Sequence, residues 1–256
     1  MTKRQKFIVT SAILALGLTS LQFVDETYRY LAIGILTFIS GLLTLWSLRD
    51  ALSGIRWVTT VLLPLLFTGG VALFYFLLPS HILSQLPVIV LYAVGIYALL
   101  LTENIFSVAA IRTIQLLRAA HAVGFLLTLL TSFFLFDTIF SFRFYYWFNA
   151  SAVFLVSVPI YLQGLWSINL EEKLTKEIIS YSLFLSLVNM ELAYILSFYP
   201  VTIAMASLLL TTAIYVNLGF VQAKLQDRLF KKTIYEYLVV AVTVLFVLIW
   251  TAKWGG

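Results

Sequence analysis

The chain contains no cysteine and only two histidines among its 256 residues. Disulfides, iron–sulfur clusters, thiolate zinc sites and cysteine nucleophiles are thereby excluded. Charged residues are scarce at 11%, less than half of what a soluble domain carries. With 62% hydrophobic residues and a mean hydropathy of +1.03, too few polar side chains remain to cover a water-soluble core. The same composition excludes disorder, collagen and coiled coil. Long apolar runs dominate instead, so the expected solvent is lipid. A formal charge of +5 would suggest nucleic acid in a soluble protein. Here the basic residues sit between apolar runs, and no nucleic-acid partner is expected.

A helix needs roughly 20 apolar residues to cross a hydrocarbon core about 30 Å thick. Nine segments approach that length: residues 7–23, 31–48, 58–79, 82–102, 119–140, 150–168, 178–198, 201–220 and 238–252. Runs such as 58–67 show no polar–apolar alternation, which argues for helices rather than barrel strands. The expected fold is all-α, one integral membrane domain over residues 1–256. With the basic N-terminal tail in the cytoplasm and nine alternating spans, thirteen of the 16 basic residues fall inside. Only Arg29, Arg143 and Lys253 fall outside. One span more or fewer in the middle would invert every later loop and destroy that separation. The C-terminus is therefore expected outside. Residues 3–17 also resemble a signal peptide with a poor cleavage site at Ala15-Leu-Gly17, but apolar residues continue to Phe23, as in an uncleaved anchor. Trp and Tyr gather near span ends, most densely in Phe142-Arg-Phe-Tyr-Tyr-Trp-Phe148, read as an outer interfacial belt.

Helices in lipid approach closely where small residues line one face. The fifth span offers Ala120, Gly124, Thr128 and Ser132; the second offers Gly34, Thr37, Gly41 and Thr44. Pro64 and Pro159 should kink their spans. No internal repeat is evident. Two cytoplasmic stretches read as amphipathic interfacial helices against anionic lipid headgroups. One places Ile105, Phe106, Ala109, Leu116 and Leu117 opposite Asn104, Ser107, Gln115 and Arg118. The other, residues 221–237, carries an apolar stripe beside Lys224, Arg228, Lys231 and Lys232, with Asp227 supporting Lys231. The loop 169–177 reads as a solvated turn with Glu172–Lys176 and Lys173–Glu177 pairs.

Reactive constellations are few. His81 belongs to an outer loop and His121 to the inner end of the fifth span, so a membrane thickness of about 30 Å separates them. His121 and Asp137 lie 16 residues apart on one helix, roughly 24 Å. No HExxH, Walker A or GxGxxG pattern occurs, and no span contains a lysine for a retinal Schiff base. No cofactor or metal is expected. What remains is a set of intramembrane polar residues, expensive and usually functional. Glu191 is the deepest, with eight residues between it and Pro200, roughly 12 Å below the outer end of its span and with Asn189 nearby. Asp137 and Arg143 belong to the same half of the membrane, so a cluster of Glu191, Asn189, Asp137 and Arg143 is sterically open.

The stretch Leu101-Thr-Glu-Asn-Ile-Phe-Ser-Val-Ala-Ala-Ile-Arg-Thr-Ile-Gln-Leu-Leu-Arg-Ala-Ala-His-Ala-Val-Gly124 resembles uncharacterised multi-pass membrane proteins of bacteria. Gln222-Ala-Lys-Leu-Gln-Asp-Arg-Leu-Phe-Lys-Lys232 is similar to theirs too. The resemblance implies a bacterial cytoplasmic (inner) membrane and supplies no activity. Three readings stand open. The first is a non-catalytic scaffold or assembly subunit, with protein partners unspecified. The second is a small-solute or proton-coupled transporter using Glu191. The third is an enzyme on a lipid-linked substrate at the outer face, using Asp137, Glu191 and His81.

The topology is directly testable, because a chain without cysteine is a clean background for thiol labelling. A Gly255→Cys variant should react with an impermeant maleimide in intact cells. Reaction only after lysis would overturn the assignment of sides.

Overall fold

The computed structural model describes residues 2–49, 55–79, 81–109, 115–170 and 173–252. Among them, nine helices are long and apolar enough to cross a membrane. They are α1 (Lys3–Ser20), α2 (Arg29–Leu48), α3 (Arg56–Leu77), α4 (Ile82–Ala109), α5 (Leu117–Ser141), α6 (Tyr146–Asn169), α7 (Lys176–Leu196), α8 (Ile203–Leu225) and α9 (Lys231–Thr251). Each span read from hydropathy has its helix, and the described residues form no strand. Several helices overrun the apolar stretch, α9 by seven residues at its start and α4 by seven at its end. Hydropathy marks where a helix meets hydrocarbon; the hydrogen-bonded coil continues beyond it. Arg112, Glu172 with its Lys176 pairing, Lys253 and Trp254 lie outside the described residues.

Local sequence sets the helix starts. Thr2 and Gln5 form a reciprocal capping box at α1, while Thr175 and Thr202 accept backbone N–H bonds from Ile178 and Met205 at α7 and α8. Three helices end on a non-glycine residue with left-handed backbone: Arg143 (φ 51°), Leu170 (φ 54°) and Asp227 (φ 52°). After α8, Arg228 N–H reaches Ala223 O (2.8 Å) and Asp227 N–H reaches Lys224 O (3.1 Å). That pair of bonds is the Schellman termination.

This termination overturns one expectation. Residues 221–237 are not a single interfacial helix; α8 stops at Leu225 and α9 begins at Lys231, with Asp227 as the left-handed stop. The other expected interfacial helix fails differently. Ile105, Phe106 and Ala109 continue α4, whose 28 residues span about 42 Å. Phe106 and Ser107, assigned to opposite faces, are both buried, so that end of α4 is packed rather than laid on a surface.

The chain divides into two compact units, residues 1–131 with 169–173, and residues 132–168 with 174–256. In the first unit, α1 packs against α2 and α4, and α3 packs against α2 and α4. Thr10 and Ser47 share a buried hydroxyl hydrogen bond of 2.7 Å between α1 and α2. Tyr92 of α4 donates to Thr68 of α3 (3.0 Å), and its ring stacks on Phe67 at 5.8 Å. Gly95 permits this approach, since a Cβ there would lie 2.6 Å from the Phe67 ring. The small-residue face expected on α5 is buried at all four positions. On α2 the expectation holds in part. Gly41 and Thr44 are buried, with Gly41 facing Val61 and Leu65 of α3, whereas Gly34 is exposed with nothing within 4 Å of a Cβ. In the second unit, α8 packs between α7 and α9. Pro64 and Pro159 lie inside α3 and α6 as read, and Pro87 lies inside α4.

Gly95→Ala must displace the fully buried Phe67 ring, which costs about 1–3 kcal/mol and should lower Tm by several degrees in detergent. Gly34→Ala meets open space and gains helix propensity worth up to about 1 kcal/mol. Its Tm should stay level or rise.

Candidate functional site

The intramembrane polar residues singled out from the sequence all belong to the second unit. They divide by helix face. On α7, Asn189 and Glu191 are two positions apart, about 200° around the helix, so they cannot share a side. Asn189 is fully buried. Its Nδ2 donates to Ser157 Oγ (3.3 Å), and its Oδ1 accepts from the Tyr161 hydroxyl (3.3 Å). The Tyr161 oxygen in turn accepts from Asn217 Nδ2 (3.3 Å). Ser157 and Tyr161 stand one turn apart on α6, and Asn217 lies on α8. The network therefore fastens three helices through polar groups that hydrocarbon could not satisfy. A further bond, from Gln222 Nε2 to Gly164 O (3.1 Å), ties α8 to α6.

Glu191 points the other way and is exposed. It shares an outward stripe with Leu187, Met190, Tyr194 and Ile195, which line an open groove of about 480 Å³. The lining is apolar except for the carboxylate and the Tyr194 hydroxyl. One turn towards the C-terminus of α7, three rings meet: Tyr146–Tyr194 at 5.4 Å, Tyr146–Phe198 at 5.0 Å and Tyr194–Phe198 at 5.3 Å between centroids. Tyr146 opens α6, so this trio closes the start of α6 onto the end of α7. Glu191 is also shallower than the sequence suggested. Because α7 ends at Leu196 rather than near Pro200, the carboxylate lies five residues, about 7–8 Å, from that end.

Asp137 of α5 is half-buried and hydrogen-bonded to Ser207 of α8, itself fully buried. Arg143 sits exposed in the left-handed turn between α5 and α6. Among the described residues, no ion pair joins Asp137, Arg143 or Glu191 to any partner. His81 lies exposed before α4 in the first unit, and His121 packs its ring 5.3 Å from Phe106. Among the described residues, no three His, Cys, Asp or Glu side chains gather as a metal site requires.

One charged site escaped the sequence reading. In the first unit Arg56, only 4% exposed, opens α3 and extends Nη1 to the carbonyl of Ser107 (3.4 Å) near the end of α4. Glu103, fully buried, lies one turn before Ser107 on α4. The hydropathy boundaries, 58–79 and 82–102, set both residues just outside their spans. A usable signal existed: opposite charges at the end of one span and the start of its neighbour fall at one depth when the helices run antiparallel.

The two faces of α7 should respond differently to mutation. Asn189→Ala strips partners from buried Ser157 and Tyr161, costing about 1–3 kcal/mol and lowering Tm by several degrees. Glu191→Gln should leave Tm within a degree of wild type. Equal losses would contradict the assignment of faces.

No curated protein and no solved structure matches the chain. Residues 9–251 match the model of a family described as a protein of unknown function, DUF5656. Among the described residues nine helices are long and apolar enough to cross a membrane, and the chain belongs to the DUF5656 family.

Proposed function

We propose that this chain is a non-catalytic assembly subunit of the bacterial cytoplasmic membrane, docking a partner on the outward face of α7. The observation that carries this reading is the orientation of Glu191. A carboxylate on a membrane helix costs roughly 3 kcal/mol at mid-depth and is retained where a protein partner or water compensates it. Glu191 is turned away from its own unit's polar network, onto a stripe that is otherwise Leu187, Met190, Tyr194 and Ile195. An adaptable methionine and a row spaced three and four residues apart suit a helix–helix contact. Asn189, Ser157, Tyr161 and Asn217, by contrast, are engaged with one another, which suits a rigid framework.

The transporter reading requires a polar cavity reaching Glu191. The groove there is apolar and open, and Asn189, the nearest polar neighbour in sequence, is committed to Ser157 and Tyr161. Both facts weigh for docking. A photo-reactive residue replacing Leu187 or Ile195 should give a discrete protein adduct in native membranes, several-fold above the same group at Val242, an exposed position on α9. The adducted fraction should fall when the chain is overproduced, because a partner is finite and lipid is not. Adducts to lipid alone, or equal adducts from Val242, would overturn the reading.

A further inference from the structure

Resting on that docking face, we infer the chemistry of the partner: a transmembrane helix of another protein presenting a lysine or arginine at the depth of Glu191. The groove has one negative group on apolar walls, so the complementary feature of an occupant is a single cation on an apolar body. The rings of Tyr146, Tyr194 and Phe198 strengthen the case, because aromatic faces attract ammonium and guanidinium groups. Elsewhere the chain supplies such cations itself. Lys6 sits 5.6 Å over Trp46, Arg29 4.6 Å over Phe76 and Lys224 5.3 Å over Tyr181. Among the described residues, no basic side chain meets Glu191 or the three rings.

Depth separates a helix from a lipid as the source of the cation. α7 has 21 residues, about 31 Å, close to the thickness of a hydrocarbon core. Glu191 therefore lies about 7–8 Å within it. A lipid ammonium belongs to the headgroup layer and would have to sink to reach the carboxylate. A lysine on a neighbouring helix is delivered at that depth by the helix that carries it. A second copy of this chain serves poorly, since its described helices carry lysine only in their first or last turns, Arg29 is already engaged by Glu26 and Phe76, and Arg143 lies in the turn beyond the end of α5.

The test uses the full chain in lipid nanodiscs, labelled on a single cysteine at Leu183. It is titrated with a synthetic leucine–alanine transmembrane peptide carrying an acceptor dye. The peptide bears one lysine five residues from its end; companions bear leucine or glutamate there. The lysine peptide should bind wild type at least tenfold more tightly than the leucine peptide. Glu191→Gln should abolish that difference, and Tyr194→Leu should narrow it several-fold. The glutamate peptide should bind Glu191→Lys tenfold better than it binds wild type, which separates charge recognition from any loss of folding. Equal binding of lysine and leucine peptides, with crosslinks at Leu187 and Ile195 intact, would leave the docking face standing and remove the cation. Loss of the lysine preference when ethanolamine lipid is added to the discs would assign the site to a headgroup and overturn the inference. If no peptide binds and no crosslinks form, both readings fall.

Discussion

Hydrocarbon offers no hydrogen bonds, and that single deficit organises this molecule. The backbone answers by coiling into helices that satisfy themselves. Hydroxyl side chains answer locally as well. Thr44, Thr68, Thr128, Thr131, Thr138, Ser182 and Ser186 each donate to the carbonyl four residues earlier on their own helix. Their polarity is thereby absorbed, and they pack as small apolar residues would. Amides and phenols cannot fold back this way. Asn189, Asn217 and Tyr161 must find partners on other helices, which is why they cross-link α6, α7 and α8.

This distinction explains what the sequence disclosed. Nine spans were legible because length and apolar content follow from bilayer thickness alone. The small-residue face of α5 was legible because Thr and Ser there behave as small groups. Contacts between helices were not, since hydropathy carries no azimuth. Asn189 and Glu191 read as neighbours in sequence, and only the helical rotation sends one inward and the other outward. Gly34 and Gly41 look alike on paper, yet only Gly41 meets another helix.

The misread boundaries share one cause. Amphipathic patterning at the end of a transmembrane helix has the same period whether the helix continues, stops or turns onto a surface. Ile105 and Phe106 lie on an uninterrupted α4, whereas Asp227 halts α8 by a backbone conformation that favours glycine and is taken here by aspartate. The buried Arg56 and Glu103 were lost at such boundaries too. A charge that ends an apolar run reads as solvated, although a neighbouring helix overrunning it can cover it.

The last helix stands apart from this economy. α9 buries only Leu248 fully, and the Tyr237 ring, three turns earlier on the same side, fills the space beside Gly219 of α8. None of the hydrogen bonds joining α6, α7 and α8 passes through it. The hydrogen-bonded interior of the second unit is therefore closed without α9, which lies against α8 as cladding rather than frame.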